Sequence, residues 1–391
     1  MGVPARLMWT VLAVAAAMQP ERALAAAADR FVPATPGYVV ADLRASQPDE
    51  PLRRLHARWR GHPDESAALA LASALVERAR SARAAGLFGR AESVLQPHAS
   101  RRGASAPVRR LYAQTLQFRH DFRGAAAVLG SLLRDDPRDA DSRLRRAALR
   151  LTTGDFDGAR GDCVQLIAAG SALSAAGFAC LAEALAARGE LPRARTLLAS
   201  LSEGTSLDAA YLAYLLSTRA ELAERAGDAH AAIADYGRAL ELAPNDDAIR
   251  AALSDVLRVS GDTAGARRVL DIDQPSLALL VRAAALEQGD ARAVLIRRAR
   301  DWIALEAARG DAPHEREVAL LEIAAGAPAA ALVAAGRNFE RQRELADVRV
   351  LARAAMLADD VAARAELRQW LDDSRYQDAV TEDILHARPR G

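Results

Sequence analysis

Six times along the chain, at intervals of 34, 34, 35, 38 and 34 residues, a glycine or its stand-in is followed by an acidic or apolar residue and, five positions after the glycine, by alanine. The strings begin Gly86-Leu87-Phe88, His120-Asp121-Phe122, Gly154-Asp155-Phe156, Gly189-Glu190-Leu191, Gly227-Asp228-Ala229 and Gly261-Asp262-Thr263, and reach Ala91, Ala125, Ala159, Ala194, Ala232 and Ala266. A turn signal and a small residue recurring together at a fixed period mean that one supersecondary unit is copied and stacked on itself, since a single unit of this length cannot bury its apolar face alone.

Composition says what that unit is made of. Alanine fills about a quarter of the 391 residues and aromatics only 4%. Alanine, leucine and arginine are the residues least penalised in an α-helix, so the expected class is all-α. All 52 residues counted as Lys+Arg are arginine. With no lysine, Schiff-base chemistry, the P-loop lysine, the kinase strand lysine and the Ser-Lys dyad are excluded. A net charge of +1 with 26% charged residues implies a mixed-sign surface, with no electrostatic footprint for nucleic acid or an anionic membrane.

In this period and turn chemistry the chain resembles the tetratricopeptide repeat (TPR) family, whose unit is a 34-residue helix-turn-helix. Counted from the same register, the family's small first-helix residue falls on Ala79, Ala113, Ala147, Ala182, Ala220 and Ser254, and its bulky second-helix residue on Leu95, Leu129, Cys163, Leu198, Tyr236 and Leu270. Its inter-repeat proline matches Pro137 and Pro244. Small residues let paired helices approach, and bulky ones fill the space between pairs. The resemblance implies an all-α, right-handed α-solenoid of stacked antiparallel helix pairs over residues 66–273, six repeats in all. The first and sixth units depart from the pattern, with His98 and Asp273 where alanine is usual.

The flanks differ. Arg6, the apolar run Leu7–Met18 and Ala23-Leu24-Ala25 have the layout of a secretory signal peptide, residues 1–25, cleaved near Ala25. Its loss leaves 50 basic and 50 acidic residues, and the expected location is periplasmic or secreted. Residues 26–65 read as an extended arm and a short helix from Asp49 to Arg60. Residues 274–391 read as divergent helical hairpins and a C-terminal cap, with the charged stretch Asp372, Asp373, Arg375 and Asp378 as its polar outer face.

No HExxH, GxSxG, GxGxxG or P-loop string is present, and the seven histidines are not spaced for a metal. No catalytic residue, cofactor or metal is expected. The acidic pairs Asp135-Asp136, Asp246-Asp247 and Asp372-Asp373 sit at turns or helix starts, where capping explains them. Cys163 and Cys180 fall on neighbouring elements. In an oxidising compartment they are either a disulfide joining adjacent repeats or two buried thiols acting as small hydrophobes.

The family resemblance places a partner groove on the concave side, lined by first helices. The residues carried onto it are Arg110, Gln114, Gln117 and Phe118 in the second unit, Tyr214, Glu221, Glu224 and Arg225 in the fifth, and Asp255 and Arg258 in the sixth, with Arg80 and Arg83 qualifying in the first. The lysine-based carboxylate clamp of the family has no counterpart. The expected function is a non-enzymatic scaffold of the bacterial cell envelope that binds a peptide or helix of a protein partner. The alternatives are a structural, self-assembling component and a hydrolase with an unseen site in residues 274–391.

Overall fold

A computed structural model of the chain describes residues 50–81, 86–170, 173–199, 209–270, 275–309, 311 and 313–387. The signal segment, the extended arm, Arg83 and Asp273 lie outside the described residues. Every regular element among those described is a helix. Helix α1 (Glu50–Gly61) leads into pairs α2/α3 (Glu65–Ser81, Gly86–Ala99), α4/α5 (Ala106–Phe118, Phe122–Asp135), α6/α7 (Ala140–Thr153, Phe156–Ala168) and α8/α9 (Ser174–Ala186, Leu191–Ala199). These are followed by α10/α11 (Ala209–Arg225, Ala229–Leu242), α12/α13 (Asp247–Val259, Thr263–Val269), α14/α15 (Leu277–Leu286, Gly289–Ala308), α16/α17 (Glu315–Ala324, Pro328–Phe339), α18/α19 (Leu345–Leu357, Val361–Ser374) and a last helix, α20 (Ala379–His386). As far as the eighth pair, each second helix packs on its own first helix and on the first helix of the next pair. The architecture is the expected all-α solenoid. None of its described helices is long and apolar enough to cross a membrane.

The repeated residues explain the stacking. The signature alanines, the small first-helix residues and the bulky second-helix residues in all six units are buried to 3% exposure or less. Alanine at these positions brings helix axes close, and the leucines interdigitate in the space between pairs. The turn has a local cause as well. Gly154, Gly189, Gly227 and Gly261 are left-handed, with φ from 77 to 89°, and His120 takes the same region at 59°. The aspartate that follows caps the second helix: Asp121, Asp155, Asp228 and Asp262 accept the main-chain N–H groups of Gly124, Gly158, Ala231 and Gly265 at 2.7–3.1 Å. The string therefore ends one helix with a left-handed residue and starts the next with a carboxylate cap. Gly326 (φ 73°) and Asp359 (φ 50°) make the same left-handed turn in the eighth and ninth pairs. The units that departed from the pattern are irregular: α3 contains Pro97, and α13 has only seven residues.

The solenoid coils back on itself. The turn of the second pair meets the loop after α15, where the His120 and His314 rings touch edge-on with centroids 5.1 Å apart. The third turn meets the loop after α17, where Arg343 N donates to Thr152 O at 2.8 Å. The fourth meets the loop after α19: a side chain at Gly189 would lie 2.8 Å from the Arg375 carbonyl oxygen. Three consecutive turns thus engage three consecutive loops in order. Phe156 and Ala187 accordingly share an apolar cluster with Val348, Leu371, Tyr376 and Leu385. Helix α20 packs on α18 and returns to α10, so the C-terminal segment closes onto the fifth pair. Of the stretch expected to face water, Asp372, Asp373 and Arg375 are exposed, while Asp378 is corrected: it is 3% exposed, because it starts α20 where that helix meets Arg349 and the fifth pair.

Candidate functional site

The groove-facing residues divide into two groups. In the second pair the concave face is open. Arg110 pairs with Asp139 at 2.8 Å, Gln114 and Gln117 are half-exposed, and Phe118 remains 39% exposed. The Phe118 ring stacks on Phe88, centroids 4.0 Å apart, and the Arg80 guanidinium lies 5.5 Å from its centre. Packing and exposure therefore coexist at Phe118.

In the fifth pair Tyr214 and Glu221 are half-buried and the other two positions are covered. Glu224 and Arg225 are 7% and 8% exposed, because the α19–α20 segment packs against them. Arg225 donates to Gln377 O at 3.2 Å and lies 4.4 Å over the Tyr376 ring. Arg188 donates to Ser374 O at 3.0 Å. Arg349 of α18 binds Asp378 through two hydrogen bonds of 2.9 and 2.7 Å and reaches Glu224 with its third nitrogen. Glu224 also accepts from the Tyr236 hydroxyl at 2.7 Å. Farther along, Asp255 pairs with Arg282 at 2.8 Å, and Arg258 has no side-chain partner among the described residues.

Closure gathers carboxylates. Glu183 accepts from Thr218 at 2.8 Å and from Tyr214, and its pKa is raised by burial. Burial, with Glu183 adding to it, pushes Glu221 up to about 8. Burial raises Glu224 too, against the pull of Arg349. Glu344 and Asp378 go the other way, since Arg316 and Arg349 respectively outweigh burial and hold them below the usual carboxylate range. Burial disfavours the charged carboxylate and a hydrogen-bonded arginine favours it, so the direction at each site follows from which of the two is stronger. Among the described residues no three His, Cys, Asp or Glu side chains are placed to hold a metal ion. The capping reading of the acidic pairs holds at Asp246, which accepts Ala248 N and Ile249 N at 2.9 and 3.1 Å. Cys163 of α7 and Cys180 of α8 are joined, with Cα atoms 5.8 Å apart.

Sequence reasoning missed Glu344 and Arg349, and set Asp378 on an outer face. The eighth pair does carry the signature, Gly326 with fully buried Ala331, but the ninth has Asp359 in place of the glycine and Arg364 in place of the alanine, so α18 had no register. It also missed Asp162, buried at 2% exposure beneath Arg143, Arg146 and Arg150.

Helix pairs of this period, with small residues at the close contacts and a left-handed residue plus aspartate at the turn, decide the class. The chain is a TPR-like solenoid. No protein-family model and no curated protein matches it. Among solved structures it is similar to a thermophilic TPR protein of Thermus thermophilus (21% identity, TM-score 0.36, covering 50% of this chain and 97% of that one). It is also similar to a tetratricopeptide repeat protein of Parabacteroides merdae (13%, TM-score 0.41, covering 70% and 99%) and to the Cut9–Hcn1 hetero-tetramer of the APC/C (16%, TM-score 0.48, covering 84% and 64%).

Proposed function

We propose that this solenoid is a non-enzymatic scaffold of the bacterial cell envelope, exported by a signal peptide at residues 1–25, and that a partner peptide docks on the concave face of its first pairs. The supporting observation is the contrast within the groove: the fifth pair is filled by the chain's own C-terminal segment, while Phe118 in the second pair presents an aromatic face to solvent. An exposed aromatic backed by another ring and an arginine is the kind of anchor that dominates binding energy at interfaces. Arg110, Gln114 and Gln117 flank it. The test is capture from an envelope extract with wild-type protein, Phe118→Ala and Arg258→Gln. The partner should be lost with Phe118→Ala and retained with Arg258→Gln. Equal recovery with Phe118→Ala and wild type would move the site elsewhere. Fractionation of cells expressing the full chain tests the location, with the processed form expected outside the cytoplasm.

A further inference from the structure

A cavity of about 780 Å³ opens where the second and third pairs meet the loop after α17. Arg146 and Arg150 come to it from α6, Arg123 from α5, and Arg341 from the loop, so both superhelical turns contribute. Phe122 and Leu149 give it an apolar wall. A volume of this size suits a small organic molecule and far exceeds one bare phosphate.

The charges beneath it do not balance. Arg146 holds Asp162 with two hydrogen bonds of 2.8 and 2.6 Å, Arg150 adds one at 2.7 Å, and Arg143 approaches at 3.4 Å. Three guanidiniums on one carboxylate leave a surplus of two positive charges. Arg123 and Arg341 raise that surplus to four, and the lining carboxylates Asp121, Asp155 and Glu340 bring it down to one; Asp121 and Asp155 also cap α5 and α7, and Asp155 lies 3.2 Å from Arg150. Arg146 Nη1 and Arg150 Nη2 donate to nothing among the described residues. Arg123 and Arg341 have no side-chain hydrogen bond or ion pair there, and both are exposed at the mouth. Glu340, also exposed, is the opposing carboxylate left without a partner among them. His120 is neutral at pH 7, since burial and His314 pull its pKa to about 4.

We infer that this seam cavity binds a small organic oxyanion, a phosphate or carboxylate carried on a molecule of nucleotide size, through Arg123, Arg146, Arg150 and Arg341. Arginine presents paired donors that match such groups, and charge-assisted bonds of this type are the strong ones. Because the donors come from both turns, the occupant ties the closure together: a ligand that binds only the closed form stabilises it in proportion to its concentration over Kd.

The test uses the full chain at constant ionic strength, with thermal unfolding and hydrogen exchange read in sodium chloride, phosphate, citrate, AMP and adenosine. AMP or citrate should raise the midpoint saturably, adenosine should not, and exchange at the Thr152–Arg343 contact should slow. A response to AMP and phosphate identifies a phosphate ligand; a response to citrate alone identifies a carboxylate. Arg123→Gln/Arg341→Gln, which removes no existing bond, should keep the midpoint in chloride and weaken apparent affinity at least tenfold. Glu340→Gln should tighten it. The inference is overturned if no anion acts beyond chloride, or if the double variant responds like wild type.

Discussion

Arg349→Met tests whether closure is a property of this network. Arg349 of α18 joins three helices, holding Asp378 at the start of α20 by two hydrogen bonds and Glu224 on α10 by a third. Its removal leaves two carboxyl groups, 3% and 7% exposed, without their cation. Asp378 keeps its bonds from Thr381 N (3.1 Å) and Oγ1 (2.6 Å), and Glu224 keeps Tyr236, so neither is bare. Breaking a buried ion network by deleting one partner costs about 3–5 kcal/mol. Helix α20 is the last element, so the chain escapes that cost by releasing α20 rather than by unfolding. Hydrogen exchange should then accelerate in α20 and along the inner face of α10 by roughly two to three powers of ten, since each tenfold is about 1.4 kcal/mol, while α2–α7 keep their protection. Because Arg349 holds the Asp378 pKa low, the loss should be full at neutral pH and shrink as pH falls through the folded pKa and Asp378 is protonated in both proteins. The variant Arg349→Met/Asp378→Asn/Glu224→Gln removes the stranded charges and should recover most of the protection. Unchanged exchange in α20, or a triple variant as loose as the single one, would refute the reasoning.

Other outcomes follow from the same geometry. Glu221, raised to about 8, contributes stability that is full below its unfolded pKa and is lost as pH rises through 8. Glu221→Gln should therefore stabilise the chain by about 2–3 kcal/mol at pH 8.5 and by little at pH 4.5, read from urea denaturation at both. Reducing the Cys163–Cys180 bond, whose partners are 17 residues apart, should cost about 3 kcal/mol by the loop-entropy relation, seen as a lower urea midpoint in dithiothreitol. Gly189→Ala should lower the thermal midpoint more than Gly261→Ala. Both are left-handed, but only at Gly189 does a Cβ press on the Arg375 carbonyl, at 2.8 Å. Asp162→Asn should cost about 3 kcal/mol by leaving buried Arg143 and half-buried Arg146 and Arg150 without their shared carboxylate, and Asp162→Glu should restore less than half, measured by denaturant titration.

The register was legible because its causes are local. Ala125, the left-handed His120 and the Asp121 cap act within one pair, so their spacing is written in the chain. The disulfide was half-legible: the register put Cys163 and Cys180 on adjacent helices, but the bond depends on how closely α7 and α8 approach. The groove candidates show where local reasoning stops. It placed Phe118 and Arg225 on the same concave side, and nothing near either residue says that one is open and the other covered.

What the sequence alone determined is the repeating unit: its length, its helix ends and the alanines on which pairs stack. What only the tertiary structure decided is where the solenoid meets itself. Thr152 and Glu344 hydrogen-bond at 2.9 Å although they are 192 residues apart, and Glu224 and Arg349 are 125 apart. Such contacts depend on the sum of small rotations between successive pairs. No single repeat encodes that sum, yet it sets which part of the groove stays open, which carboxyls are buried and where the seam cavity forms.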